Sequence, residues 1–302
     1  MALDPDRRAE VVDRVLRAVE QRHVDPAAGA RIAAALRDRL ATGGYDDAGG
    51  ARDLAARLTA DLRAAGDDPL LEVVFRGPAS DGRERGPADP AAAAHANYGF
   101  ERAQLLPPNV GHVVVRGLHP AEVPPAAQAA AAAMTFVTHA SALILDLREN
   151  AGGAPSMATF LASFLFDEPV HLNTIAGRPG APEHQNWTYA QVPGPRYARP
   201  VYVLTSARTF GAAEGLAYHL QARERAMVIG ERTRGSGGLV EATRVDLEFE
   251  VLVTTGRSVN PVTGTSWDGT GVVPDLEVAP DDALRAAHQA ARRRPPPPAD
   301  GS

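Results

Sequence analysis

Two segments of this chain share one order of features: an apolar run, a turn that contains glycine, and a helix-forming stretch. The first segment, 142–153, reads ALILDLRENAGG, and the second, 203–218, reads VLTSARTFGAAEGLAY. An uninterrupted apolar run is typical of a strand that is covered on both faces, as in a parallel sheet between helices. Ligand sites of α/β proteins lie at the ends of such strands. The pattern therefore predicts an α/β fold with its chemistry at these two turns.

The composition narrows the class of protein. The chain has 302 residues, of which 44% are hydrophobic, so it is long enough to bury a sizeable core. Its net charge is −6, which argues against nucleic acid or an anionic membrane as a partner. Cysteine is absent, so disulfides, thiolate metal sites and thiol nucleophiles are excluded. All 31 basic side chains are arginine, since the sequence contains no lysine.

The predicted organisation has four parts. Residues 1–75 form an N-terminal helical subdomain, because residues 6–66 carry three amphipathic apolar stripes and 70–75 read as a strand. Residues 76–110 are a loop or hairpin connection, 111–280 an α/β core, and 281–302 the end of a helix followed by a proline-rich disordered tail. Further predicted strands are 113–115, 142–147, 201–204, 227–229 and 247–253, and further predicted helices are 124–140, 156–166 (capped by Ser156) and 212–221.

No apolar run is long enough to span a bilayer, and the first residues do not resemble a signal peptide. We therefore expect a cytoplasmic protein with no membrane partner. The nine histidines are scattered, and no two have metal-ligand spacing on one helix face, so we expect neither a metal nor a cofactor. Taken singly, His95 and His219 are predicted to be surface residues.

Both segments resemble the tail-specific (C-terminal processing) serine peptidases, in the branch typified by interphotoreceptor retinoid-binding protein and the tricorn core. In that family the second segment reads threonine, phenylalanine, serine, alanine, alanine, glutamate, and the serine is the nucleophile. Here Gly211 occupies the position of the serine. The histidine base of the family aligns with Leu70, or with Pro69 as the near alternative. The serine–lysine dyad of another branch is excluded because lysine is absent.

The resemblance also implies the remaining site residues. The family's oxyanion hole pairs a glycine amide with the amide after the nucleophile, which here are Gly152 or Gly153 and Ala212. Glu214 matches the family's glutamate, and Asp268 stands where the closing signature usually has glutamate. Each has a simpler alternative: the glycines form a packing turn, Glu214 complements the helix dipole, and Asp268 is a pocket wall or a turn former as well as a candidate acid or base.

Three hydroxyl side chains near the predicted site are candidate substitute nucleophiles. Ser206 and Thr209 precede Gly211, and Ser236 follows the GERTRG segment at 230–235. For each of the three, we weigh nucleophilic attack against a surface or turn-stabilising role and expect the second.

The resemblance implies a crotonase/Clp-protease-like β-α superhelical core after an N-terminal three-helix subdomain. Three functions are compatible with it. The first is a non-proteolytic enzyme that uses the oxyanion hole on a carbonyl-containing small molecule for cyclisation, isomerisation, addition or elimination, with Asp268 or Glu214 as the catalytic carboxylate. The second is a non-catalytic binding module for a hydrophobic ligand or an extended peptide. The third is a peptidase with an unconventional nucleophile. Relatives often form oligomers, so the sequence leaves open whether this chain forms a homo-oligomer.

Overall fold

The computed structural model describes residues 4–77 and 90–293. They divide between two compact units. The first unit comprises Met1–Gly86, Ile175–His184 and Gly238–Ser258, and the second comprises Pro87–Thr174, Gln185–Gly237 and Val259–Ser302. Two later segments thus group with the N-terminal unit, whereas the sequence placed them in the core. Within the predicted connection 76–110, residues 78–89 lie outside the described residues, whereas 90–110 contain a short helix (Pro90–His95), a 3₁₀ turn (Asn97–Gly99) and a strand (Phe100–Leu106). The part of the predicted tail after residue 293 also lies outside the described residues.

The described residues form both helices and strands. The helices are α1 (Pro5–Arg22), α2 (Pro26–Ala41), α3 (Ala51–Gly66), α4 (Pro90–His95), α5 (Pro124–Phe136), α6 (Pro155–Ser163), α7 (Ala212–Ala222) and α8 (Pro280–Arg293), with a 3₁₀ turn at Asn97–Gly99. The strands are β1 (Glu72–Phe75), β2 (Phe100–Leu106), β3 (Val110–Val115), β4 (Ala142–Asp146), β5 (His171–Ala176), β6 (His184–Trp187), β7 (Val201–Thr205), β8 (Ala226–Gly230), β9 (Gly238–Arg244), β10 (Phe249–Val259) and β11 (Leu276–Glu277).

The first unit packs three helices on an antiparallel sheet. The three predicted helices are present as α1, α2 and α3, and the Asp25 carboxylate caps α2 by accepting from the amides of Ala27 and Ala28. Strand β10 pairs antiparallel with β1 and with β9. The apolar stripes of the helices bury against the strands because each repeats at the helical period. Members of this core include Val12, Val15, Ile32, Leu36, Leu54, Leu58, Phe249 and Val251.

The second unit is built on a six-stranded sheet with the order β11-β8-β7-β4-β3-β2. Strands β3, β4, β7, β8 and β11 are parallel, and β2 runs antiparallel to β3. Because the strands are parallel, the carboxyl ends of β4 and β7 lie at one edge of the sheet. The two turns singled out in the sequence follow those ends.

Helices cover both faces of this sheet. Leu143 and Leu145 of β4 bury in one core with α5, α6 and α7, whereas Ile144 buries in another with α8. Alternate residues of a strand point to opposite faces, so a strand covered on both sides needs an apolar residue at every position. This packing explains the continuous apolar run of 142–145, which ends at the buried Asp146. The fold is mixed α/β, as predicted.

Two local predictions are wrong. Ser156 does not cap α6, because the cap position is Ala154; the Ser156 hydroxyl instead accepts from the Ala121 amide and donates to Glu122. Leu247 does not begin a strand and is 84% exposed. The Asp246 carboxylate accepts from the amides of Glu248 and Phe249, so these residues form a turn and the strand begins only at Phe249.

A buried ionic cluster fixes the carboxyl end of β4. The Asp146 carboxylate, on a side chain only 5% exposed, accepts from Arg148 Nε at 2.9 Å and Nη2 at 2.6 Å, and lies 3.3 Å from His112 Nε2. Arg148 Nη1 also donates to the carbonyl of Pro280. Burial acts to raise the pKa of Asp146, but the hydrogen bonds from Arg148 and His112 outweigh it, and this pKa is lowered far below its ordinary value. The cluster therefore holds the start of the turn after β4 in place.

We expect Asp146→Asn to lower the free energy of unfolding by about 3 kcal/mol at neutral pH, since it leaves Arg148 without its buried counter-ion. A lowered carboxyl pKa stabilises the fold above the unfolded pKa of about 4, and that stability is lost as the pH falls through the folded value. The difference between wild type and Asp146→Asn should therefore shrink on acidification below about pH 4, as measured by urea unfolding.

The matched control is Asp282→Asn, which removes a surface carboxylate paired with Arg285. It should change the unfolding free energy by less than about 1 kcal/mol at any pH. An equal loss of stability in both variants would contradict the role given to Asp146.

Candidate functional site

The turn after β4 and the turn after β7 are in direct contact. The amide of Phe210 donates to the carbonyl of Asn150 at 3.0 Å. Gly152 (φ 92°) packs so closely that a Cβ atom there would lie 2.7 Å from the Phe210 carbonyl oxygen and 3.4 Å from the Ala212 nitrogen. Only glycine fits this approach, because any side chain would separate the two turns. The two sequence segments thus form one site in the second unit.

The Asn150 side chain decides which glycine amide is available. Its Nδ2 donates to the carbonyl of Val115, and its Oδ1 accepts from the amide of Gly152 at 2.8 Å. Gly153 forms a parallel bridge with Leu118, in which Leu118 bonds to the residues on either side of Gly153. The Gly153 amide faces away from that bridge and meets no acceptor within the described chain. Of the two predicted glycine donors, Gly153 is therefore the unoccupied one.

Gly211 forms the elbow between β7 and α7. It has φ 57° and ψ −120°, which a residue with a side chain adopts only at a cost of about 1–3 kcal/mol. A Cβ atom at Gly211 would meet no other atom within 4 Å, so the space above the elbow is open. Ala212 follows as the first residue of the helix, and its amide has no acceptor among residues 4–77 and 90–293. Free amides at a helix start favour negative charge.

A carboxylate beneath the elbow ties it to a neighbouring loop. Glu214 is fully buried, and its Oε2 accepts from the amides of Gly211 at 2.8 Å and Ser236 at 2.9 Å. Its Oε1 accepts from the Thr233 hydroxyl at 2.5 Å and the Gly235 amide at 2.6 Å. Four donors thus surround one carboxylate, and its hydrogen-bonding capacity is filled. The glycine-rich loop at 235–238, predicted to border the site, is bound to the elbow through Glu214.

Trp267 and Asp268 also bind this loop. Trp267 Nε1 donates to the carbonyl of Ser236 at 3.0 Å, and the indole ring packs on Gly215 of α7. Asp268 is half-buried, and its Oδ1 accepts from the Gly237 amide at 2.9 Å. Its Oδ2 makes no hydrogen bond with any part of the chain that the structure describes. Asp268 is therefore the carboxylate at this loop that retains an unoccupied oxygen.

Two of the three candidate hydroxyls are engaged in turns. Ser206 Oγ donates to the carbonyl of Arg148 and accepts from the Arg208 amide. Thr209 Oγ1 donates to the carbonyl of Leu147 at 2.9 Å. These contacts confirm the expected turn-stabilising roles of Ser206 and Thr209. The Ser236 side chain is buried, and its hydroxyl has no partner in the described ranges.

Leu70 lies in the first unit, just before β1, and its amide donates to Asp68 Oδ1 at 2.9 Å. Asp68 in turn lies beside a histidine that sequence reasoning did not single out: His23 Nε2 is 3.4 Å from Asp68 Oδ2, and His23 is only 2% exposed. The nearby carboxylate of Asp68 raises the pKa of His23. Because this histidine is far away in sequence, no local motif could have revealed the pair.

His219 is buried, so the prediction of a surface histidine is wrong for this residue. Its Nδ1 lies 3.1 Å from Asn260 Nδ2, and its ring stands edge-on to Trp267. Burial lowers the pKa of His219 to about 3, which keeps the imidazole neutral. Asn260 is therefore the donor in this bond. His95 is exposed, as predicted.

The described residues contain no group of three or more potential ligand side chains that could hold a metal ion. In the same part of the chain, no helix has the length and apolar character needed to cross a membrane.

The site consists of an elbow at the start of a helix, faced by a glycine turn with a free amide. Residues 110–278 match the family model described as peptidase family S41. The chain therefore belongs to peptidase family S41, the tail-specific, C-terminal processing peptidases.

Two curated relatives illustrate the similarity. The chain is 32% identical over 141 residues to carboxyl-terminal-processing peptidase 1, chloroplastic, of Arabidopsis thaliana, which is 47% of this chain and 28% of that protein. It is 30% identical over 141 residues to a carboxyl-terminal-processing protease of Picosynechococcus, which is 47% of this chain and 32% of that protein. The match thus spans about a third or less of the length of these relatives.

Solved structures share the fold over nearly the whole chain. A photosystem II D1 C-terminal processing protease aligns with a TM-score of 0.61 at 18% identity, covering 94% of this chain and 97% of that one. A putative peptidase from Parabacteroides merdae aligns with a TM-score of 0.67 at 18% identity, covering 96% and 97%. The tricorn protease aligns with a TM-score of 0.57 at 11% identity, covering 95% of this chain and 36% of that one.

We expect Glu214→Gln to loosen the loop at 233–237. The new NH₂ group would face either the amides of Gly211 and Ser236 or the amide of Gly235 and the hydroxyl of Thr233 instead of accepting from them, and each buried donor left unpaired costs about 1–3 kcal/mol. Native-state hydrogen exchange should show the amides of Gly235 and Ser236 opening more easily by about 2–3 kcal/mol.

The matched control is Glu168→Gln, which makes the same change at an exposed position of the second unit. It should leave exchange at Gly235 and Ser236 unchanged. If Glu214→Gln also left it unchanged, Glu214 would not be the residue that holds this loop.

Proposed function

We propose that this S41 family member is a non-proteolytic enzyme. Its site stabilises the oxyanion that develops on a carbonyl-containing small molecule, without forming a covalent bond to the substrate. The observation that carries the proposal is the elbow residue Gly211. It keeps the backbone geometry of a nucleophile position and an open space above it, yet it has no side chain that could attack.

The free amides of Gly153 and Ala212 donate the hydrogen bonds that bind the oxyanion. Each belongs to one of the two turns that Gly152 holds together, and neither is occupied by a partner in the described chain. One preorganised donor of an oxyanion hole contributes about 2.7–4 kcal/mol of transition-state stabilisation. Two such donors are sufficient to promote cyclisation, isomerisation, addition or elimination through an enolate or a related anion.

Asp268 is the favoured residue for proton transfer. Its Oδ1 is held by the Gly237 amide, which fixes the carboxylate, while its Oδ2 is unoccupied. Glu214 is less suited to that role, because all of its acceptor positions are filled by four donors. We therefore assign Asp268 as the acid or base and Glu214 as a positioning residue.

The finer placement of the chain belongs to the same proposal. We infer a relation to the crotonase fold, whose members stabilise enolates with paired amides, and to the retinoid-binding-protein-like branch of the family. The β3-α5-β4-α6 and β7-α7-β8 successions support a superhelical core. In this view the substitutions at Gly211 and Leu70 mark the loss of the serine nucleophile and the histidine base.

A second candidate function is that of a binding module. Phe210, the residue before Gly211, has a half-buried ring that is contacted by the Arg234 guanidinium, and its remaining apolar surface favours a hydrophobic ligand. In this alternative the amides hold a carbonyl group, and no proton transfer by Asp268 is needed.

The oxyanion hole is tested by NMR titration of the ¹⁵N-labelled chain with a series of substituted phenolates, which are stable oxyanions. We expect the amide protons of Gly153 and Ala212 to move downfield, and to move further with the more basic phenolates, because charge-assisted hydrogen bonds strengthen with the acceptor. The Gly152 amide is the internal control, since Asn150 already occupies it. A change in the chemical shift of the Gly152 amide alone, or no change at the amides of Gly153 and Ala212, would contradict the proposal.

The companion variants are Ala212→Pro and Ala212→Gly. Proline lacks the amide hydrogen and is tolerated at the first position of a helix, whereas glycine retains the hydrogen. Phenolate binding should weaken about tenfold or more in Ala212→Pro and stay within about threefold of wild type in Ala212→Gly. An enzyme should in addition convert a carbonyl-containing substrate at a rate that depends on Asp268. A binding module should bind the ligand without converting it.

We expect Gly211→Ser to remain inactive as a peptidase, because Leu70 supplies no base to activate the new hydroxyl. Casein cleavage and labelling by a fluorophosphonate probe measure this. Gly211→Ala is the control, since it introduces the same backbone cost without the hydroxyl. Labelling or cleavage by Gly211→Ser above the level of Gly211→Ala would show that the base assignment is wrong.

A further inference from the structure

A second cavity lies in the second unit, away from the elbow. It has a volume of about 590 Å³ and is lined by the residues at the amino ends of β7 and β8, together with the end of α7. The elbow and the Asn150 turn follow the carboxyl ends of β7 and β4. A five-residue strand spans about 16 Å, so the cavity and the candidate active site lie at opposite edges of the sheet.

Two arginines of this cavity are bound only by main-chain carbonyl groups. Arg225 donates from Nε to Leu165 at 2.5 Å and from Nη2 to Tyr197 and Arg199, at 2.5 Å and 3.0 Å. Arg199 donates from Nη1 to the carbonyl of Thr138 at 2.9 Å. Neither guanidinium forms a salt bridge with a carboxylate of the described residues. Each is thus fixed in place while its positive charge is not neutralised by an ion pair.

Several donors of these arginines are unused. Nε and Nη2 of Arg199 and Nη1 of Arg225 make no hydrogen bond in residues 4–77 and 90–293. None of them is among the buried atoms without a partner, so they are accessible to solvent. Burial lowers the pKa of Arg225, which shows that its charge lacks full solvation. An anion in the cavity would satisfy these donors and stabilise the charge.

The two acidic residues of the cavity do not fill this role. Asp275 is already occupied, because Oδ2 accepts from the Val228 amide at 2.7 Å and Oδ1 accepts from Gln221 at 3.0 Å. Glu224 is exposed, at the turn after α7, and forms no salt bridge within the described chain. Both carboxylates oppose an anion through their charge, and neither forms a salt bridge with Arg199 or Arg225 in the described residues.

We propose that this cavity binds a small organic anion, a carboxylate or a phosphate ester, on the unused donors of Arg199 and Arg225. Planar guanidinium groups match the paired oxygens of both kinds of anion. The volume lies in the range of small-ligand sites. This second site is independent of the chemistry at the elbow, and α7 connects the two, because Gly211 precedes its first residue and Gln221 stands in its last turn.

The test is isothermal titration of the full chain with inorganic phosphate, with citrate and with neutral glycerol, at constant ionic strength. We expect saturable binding of phosphate or citrate and none of glycerol. Arg199→Gln should weaken that binding about tenfold to a hundredfold, whereas Glu224→Gln should strengthen it about threefold by removing a like charge. Preference for one anion identifies the source as a carboxylate or a phosphate ester.

The matched control is Arg292→Gln, which removes an exposed arginine of α8 and should not alter the affinity. The proposal is overturned if neither anion binds below about 20 mM, or if Arg199→Gln and Arg292→Gln weaken binding equally. Should Arg199→Gln fail to fold, Glu224→Gln decides the matter, since unchanged affinity in that variant also contradicts the site.

Discussion

The buried carboxylate of Glu214 is the interaction on which the candidate site depends. It joins the elbow at Gly211 to the loop at 233–237 through four hydrogen bonds. A buried charge is costly unless hydrogen bonds compensate for it, and here every acceptor position is used. The same carboxylate lies in the first turn of α7, where it also complements the helix dipole. One residue thus secures both the direction of the helix and the position of the loop.

The second constraint is the close approach of Gly152 to the elbow. Asn150 holds the glycine turn from inside by bonding to Val115 and to the Gly152 amide. As a result, the turn presents the Gly153 amide rather than that of Gly152. The sequence predicted the pair of turns but left the choice between the two glycines open. That choice depends on one side-chain hydrogen bond, which a sequence motif does not specify.

The sequence predicts those parts of the fold whose pattern is local. The stripes of α1, α2 and α3 and the apolar run of β4 are readable because burial repeats at the helical period or at every residue. Strand β9, whose residues are mostly exposed, forms a hairpin with β10, and the start of β10 is displaced by the Asp246 turn. Strand β10 also pairs with β1, which is distant in sequence, and no local pattern reveals that pairing. The burial of His219 and the pairing of His23 with Asp68 likewise arise only from tertiary packing.

The geometry of Gly211 shows which contacts maintain the elbow. A serine at φ 57° would strain the backbone, and the fold would have to compensate for that strain. Glycine removes the strain, so the chain was free to relax into an ordinary helix start. It has not done so, because Glu214 binds the Gly211 amide and Gly152 packs against the residues on both sides. Gly211 has no side chain that could act as a nucleophile, but these contacts hold the Ala212 amide beside the glycine turn. The contacts of Glu214 and Gly152 therefore determine where the main-chain donors of the elbow lie.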